Sequence, residues 1–167
     1  MMNLVNAGFR YFCTVYDVHG RERDRWIMDN LLPDEGILYF LSSSLRGGTQ
    51  TSTWYISLYS GSYTPTSTVT SATYNSLATE VTSQYDETNR VTLVPDPAGT
   101  TTYANIANPA YFTFNTDVTI RGAAVHSVAT KGGTTGTLLS CTAAPSPKTM
   151  SAGEQLKVIA GLGLVNV

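Results

Sequence analysis

The run Asp117-Val118-Thr119-Ile120-Arg121-Gly122-Ala123-Ala124-Val125-His126-Ser127-Val128 leads directly into Ala129-Thr130-Lys131-Gly132-Gly133-Thr134-Thr135-Gly136. Val118, Ile120, Ala124 and Val128 share even positions, the period of a strand with one face turned inward. From Thr135 to Cys141 a second run places Thr137, Leu139 and Cys141 on one face. Between them, Lys-Gly-Gly is turn chemistry, because paired glycines reach positive φ without steric cost. The segment reads as a β-hairpin.

Working outward, the preceding Ala110-Tyr111-Phe112-Thr113-Phe114 reads as a strand feeding this hairpin through Asn115-Thr116-Asp117. Pro145-Ser146-Pro147 reads as the end of the hairpin's second strand. The chain closes on Gln155 to Val165, where Leu156, Val158, Ala160, Leu162 and Leu164 alternate with other residues. Upstream, Trp54, Ile56 and Leu58 share the face of a strand, and Val91-Thr92-Leu93-Val94 is a short strand stopped by Pro95-Asp96-Pro97. Residues 60–81 lack a sustained period and read as a long loop, with one helical turn at Tyr74 to Ala78. Thr100 to Pro109 reads as another loop. Loops of the first length are uncommon unless they make contacts or bind something.

At the N-terminus, Phe9 to Val18 is rich in aromatic and β-branched residues that favour strands. His19-Gly20-Arg21-Glu22 reads as a turn and Arg23 to Met28 as the returning strand. Ile37, Phe40, Leu41 and Leu45 fit helical spacing, with acids at the start and Gly47-Gly48 as a stop. Seven or eight strands with little helix predict a mainly β protein, an antiparallel β-sandwich of the jelly-roll kind. The division expected is residues 1–46 as an N-terminal hairpin arm with a short helix, and 47–167 as the sandwich.

Composition narrows the function classes. Only 13% of the 167 residues are charged, against about 25% in an ordinary soluble domain. The net charge of -2 offers no electrostatic footprint for nucleic acid. No apolar run approaches the roughly 20 residues that span a bilayer, so no membrane partner is expected. The first residues lack the basic and apolar regions of a secretory signal. Half of the charged side chains fall in residues 1–46 (Arg10, Asp17, Arg21, Glu22, Arg23, Asp24, Arg25, Asp29, Asp34, Glu35 and Arg46), leaving the remainder neutral and tyrosine-bearing. Such surfaces resemble protein interfaces, where Lys and Glu are depleted, as well as ordinary polar β-surfaces.

No catalytic set emerges. His126, Ser127 and Asp117 assemble on paper, but neighbours in a strand point to opposite faces. Asp86-Glu87 lacks the ligand spacing of a calcium site, and Lys131 precedes its glycines, unlike a phosphate loop. Cys13 and Cys141 are too few for a disulfide framework and lack metal spacing, and read as buried thiols or a single bridge. No cofactor or metal is expected.

Several of these segments together resemble the small structural proteins of tailed bacteriophages. They are Gly47-Gly48-Thr49-Gln50 through Trp54 to Tyr59, Phe112-Thr113-Phe114-Asn115, Ile120-Arg121-Gly122-Ala123, and Thr130 to Leu138 with its Lys-Gly-Gly hairpin. The resemblance covers most of the chain and implies a virion protein, a capsid decoration (cement) protein made in the host cytoplasm. Such a protein sits on the capsid surface as a dimer or trimer and clamps neighbouring major capsid subunits. The charged hairpin, with Arg21, Arg23 and Arg25 beside Trp26, is the candidate arm, since Arg and Trp anchor interfaces; Tyr59 and Tyr63 complete the candidate contact set. Two alternatives remain: a tail, collar or fibre-attachment part, and a carbohydrate-binding sandwich stacking sugars on Tyr59, Tyr63, Tyr74 and Tyr85.

Overall fold

The computed structural model describes residues 6–29, 31–97 and 102–165. Residues 1–5 of the stretch read for a secretory signal and the start of the 100–109 loop lie outside them. In chain order the elements are β1 (Asn6–Tyr16), β2 (Glu22–Asp29), α1 (Asp34–Leu45), β3 (Trp54–Tyr59), α2 (Ser71–Ala78), β4 (Val91–Leu93), β5 (Thr102–Ala104), β6 (Ala110–Thr113), β7 (Val118–His126), β8 (Leu138–Met150) and β9 (Gln155–Val165). They form two antiparallel sheets. One has the order β2-β1-β9 with β5 and β6 both paired along β9, and the other the order β4-β3-β7-β8. The chain is a mainly β antiparallel sandwich, as expected. The jelly-roll expectation goes further than this strand order, in which β1 and β2 make a hairpin inside one sheet instead of crossing between sheets.

Alternation builds the core. Phe9, Tyr11, Cys13 and Val15 of β1, Trp26 and Met28 of β2, and Leu156, Val158 and Ala160 of β9 point inward. Opposite them stand Trp54, Ile56 and Leu58 of β3, Ala123 and Val125 of β7, and Leu139 of β8. Burying apolar surface of this kind is worth roughly 25 cal/mol per Å². The same cluster overturns the expected boundary near residue 47. β1 pairs with β9 over its whole length, from Asn6↔Val165 to Tyr16↔Gln155, so the hairpin is part of the sandwich and no free arm. The physical reason is that its inward positions, Phe9, Tyr11, Cys13 and Val15 of β1 and Trp26 and Met28 of β2, carry apolar side chains that the second sheet covers.

The hairpin of β7 and β8 is present, but its details differ from the periodic reading. A register shift between Ile120 and Gly122 reverses the phase, so Ile120, Ala123 and Val125 share the main core while Ala124 lies on the other side. Residues 127–137 form a broad connection in place of a tight turn. β8 also continues past Pro145 and Pro147, because pairing jumps from Gly122↔Ala143 to Ile120↔Lys148 and leaves both prolines in the bulge between. β5 falls within the stretch read as a loop.

The two sheets are covered unequally. On the outer side of the four-stranded sheet, Tyr59, Ala124, Leu138 and Cys141 pack against Val69, Tyr74 and Ala78 of the 60–82 segment and α2. The long loop is therefore a second layer, and from Gly122 to His126 β7 is buried on both faces. α2 is started by a capping box between Thr70 and Thr73. α1 closes the sandwich end where β3 and β8 begin, with Tyr39 edge-on to Trp54 at 5.1 Å.

Candidate interaction surface

Among the described residues, no such second layer lies over the outer face of the five-stranded sheet at β1 and β2. Because Tyr11 and Cys13 point inward, Arg10, Phe12 and Thr14 must point out. Phe12 stands directly opposite Ile27 on one side and Ile159 on the other. Phe12 is 46% exposed and Ile27 49%, and Ile159 is half-buried. Neighbouring rows are polar. Arg10 is opposite Asp29 and ion-paired to it at 2.6 Å, while Thr14 is flanked by Arg25 and Lys157. Tyr111, also exposed, is opposite Lys157 across β6 and β9. An apolar centre rimmed by charges is how interfaces are built.

The residues singled out from sequence divide between this surface and the interior. Arg21 is exposed and pairs with Asp17 at 2.8 Å, and Arg25 pairs with Glu22 at 2.7 Å. Arg23 instead bridges to Glu154 at 2.6 Å and donates to the Thr149 carbonyl, tying β2 to the segment between β8 and β9. Trp26 is buried in the core beneath the Lys148 ammonium, 5.0 Å from its ring. Its role as an exposed anchor is therefore excluded, since β2 alternates and Trp26 takes an inward position. Tyr59 is fully buried and Tyr63 half-buried. Tyr74 and Tyr85 are buried as well, Tyr59 and Tyr74 where the second layer meets the sheet and Tyr85 in the main core, so three of the four tyrosines proposed to stack on sugars are closed to solvent. Phe12, Ile27, Ile159 and Tyr111 were missed; the alternation of Phe9, Tyr11, Cys13 and Val15 already implies an outward Phe12.

The polar groups with chemical potential lie inside. Ser57 Oγ is 2.9 Å from both the Tyr74 hydroxyl and His126 Nε2. His126 is fully buried, and its Nδ1 lacks a hydrogen-bond partner among the described residues. Burial, and secondarily the Arg90 charge, hold its pKa well below the usual histidine value. The paper triad separates: Ser127 Oγ accepts from the Thr137 amide, and Asp117 accepts from the Ala152 amide. Beside this network, Arg90 and Glu80 form a bidentate pair at 2.7 and 2.8 Å. Arg90 also donates to the Val128 and Gly133 carbonyls, and the Gly132 amide donates to Glu80. Lys131 lies 3.5 Å over the Tyr85 ring. The Lys-Gly-Gly segment is thus pinned by a buried ion pair, which explains its breadth.

Asp86, Glu87 and the two thiols are likewise engaged in the fold. The Glu87 carboxylate accepts the Thr113 amide, and Asp86 accepts from the Asn115 side chain. Cys13 and Cys141 are free and buried, one in the main core and the other in the second layer. Among the described residues no three His, Cys, Asp or Glu are placed to hold a metal ion, and no helix is long and apolar enough to cross a membrane. No family model matches the chain, and no curated protein matches it in sequence.

Proposed function

We propose that this chain is a structural protein of a tailed-phage virion, a capsid decoration protein that binds the outside of the shell and clamps neighbouring major capsid subunits. The observation that carries this reading is the open outer face of the five-stranded sheet, where Ile27, Phe12 and Ile159 form an apolar row between charged rows. A rigid sandwich with one sheet covered on both faces and the other presenting such a row is suited to adhesion. Binding the assembled shell more tightly than free subunits would stabilise it by mass action. The sequence resemblance supplies the virion setting; the arm's part in it passes to this face, with Arg25 and Lys157 at its rim. The carbohydrate-binding alternative loses its stacking platform to burial of Tyr59, Tyr74 and Tyr85.

The test is cryo-electron microscopy of the virion that carries the protein, paired with capsid binding by a Phe12→Asp variant. Density at capsomer junctions, contacting β1 and β2, and lost binding by the variant support the proposal. Density confined to the neck or tail makes the chain a connector instead. A Phe12→Asp variant that binds shells as the wild type does removes the sheet face from the mechanism.

A further inference from the structure

We infer that the layer formed by residues 60–82 is an acid-operated lid, which lifts from the four-stranded sheet when His126 beneath it takes up a proton. The His126 ring lies under α2, with 4.7 Å between its centroid and that of Tyr74. Ser57 Oγ stands between the Tyr74 hydroxyl and His126 Nε2, 2.9 Å from each. An imidazolium donates through both of its nitrogens. Nε2 has Ser57 to receive its proton, but Nδ1 has no acceptor among the described residues. A proton taken up in the closed fold would therefore leave a charged N–H buried and unpaired, which is costly.

The groups around the ring do not offset that charge. Tyr55, Ser57 and Tyr59 share its side of β3, and Cys141 stands on β8 under the same layer; all four are neutral. Arg90 adds a like charge, and the nearby acid, Glu80, is already bound to Arg90. Glu35 accepts the Ser71 and Leu138 amides, and Lys131 lies over Tyr85. The layer is the part that can yield. Residues 60–79 carry no charge, and α2 is short and buries Ser71, Tyr74 and Ala78, whereas β7 is paired on both sides, with β3 and β8. α2 ends at Thr79, whose φ of 57° makes it the one non-glycine residue in the left-handed region among the described residues. Strained positions at the end of an element are where a hinge absorbs a change of backbone angle. Lifting α2 there gives both imidazole nitrogens to water and uncovers Tyr59, Ala124, Leu138 and Cys141. None of the residues on the open face of the other sheet takes part, so the lid stands or falls apart from the capsid proposal.

The test is hydrogen exchange of the full chain, read by mass spectrometry at about pH 7.5 and about pH 5 with labelling times scaled for the intrinsic rate. An open lid whose histidine titrates near its ordinary value of 6.5 gains population about 30-fold across that interval. Segment 71–81, which includes the Thr79 and Val81 amides bonded to Asn75 and Leu58, should lose protection by that factor while β1 and β9 keep theirs. His126→Gln, which can still bond Ser57 but cannot take a proton, should abolish the change. Tyr74→Phe, which cuts the tie to Ser57, should lower protection of the layer at both pH values and preserve the ratio. Equal protection of 71–81 at both pH values in the wild type overturns the inference, as does a loss shared equally by β1 and β9, which is global unfolding. So does an acid response that survives in a folded His126→Gln. Nuclear magnetic resonance of the wild-type His126 ring decides without any variant: the ring should stay neutral for as long as α2 is protected, and a ring that protonates under a protected α2 overturns the lid.

Discussion

Arg90 and Glu80 meet in a bidentate ion pair with neither side chain exposed to solvent. The pair anchors the 127–137 connection through the Val128 and Gly133 carbonyls and the Gly132 amide. Breaking a buried pair by removing one partner strands the other charge, at a cost of about 3–5 kcal/mol. Arg90→Met and Glu80→Gln should each lower stability by that order in urea unfolding. Their combination should cost clearly less than the sum, and a strictly additive cycle would refute the coupling.

A histidine kept neutral inside the fold makes stability depend on pH. His126 has an ordinary value of 6.5 that burial lowers well below that in the native state. As pH falls through about 6.5 the unfolded chain gains a proton that the folded chain does not, so stability declines on acidification. His126→Gln should flatten the slope of the melting temperature between neutral and mildly acidic pH. An unchanged slope would place the pH dependence elsewhere.

Gly36 sets two effects against each other. Helix propensity alone predicts that Gly36→Ala stabilises by about 1 kcal/mol. The Leu139 carbonyl occupies the space the methyl group needs, and overpacking costs roughly 1–3 kcal/mol. The loss should win, because the obstacle is backbone and cannot rotate away. Chemical denaturation gives the sign directly, and a gain in stability would mean that α1 can lift from β8 freely.

Cys13 and Cys141 should resist thiol reagents in the native protein. Both are buried and free, and burial pushes the Cys141 thiol up to about 12 and raises Cys13 as well. Thiolate is the reactive form. Labelling should begin only with unfolding and then reach both residues together. Rapid native labelling at Cys141 would show that α2 opens from the sheet.

Much of the architecture was legible in local pattern. The strands at Phe9, Arg23, Trp54, Val91, Ala110 and Gln155, and the helix at Ile37, follow from periodicity and stop signals that act over a few residues. Less was legible of the surfaces. Tyr59 and Tyr74 looked available for binding because a Ser/Thr-rich segment resembles a solvent-exposed loop, whereas α2 and its flanks fold back over β3 and β7. Arg90 and Glu80 carry no local signature, since ten residues and no shared element separate them.

By itself, then, the sequence determined an antiparallel β-sandwich with low surface charge, because alternation and turn chemistry are properties of neighbouring residues. Only the tertiary structure decided which faces stay open. Phe12 and Leu38 are exposed while Trp26 and Tyr59 are buried. Exposure depends on which distant segment arrives to cover a side chain, and packing between segments far apart in the chain sets that.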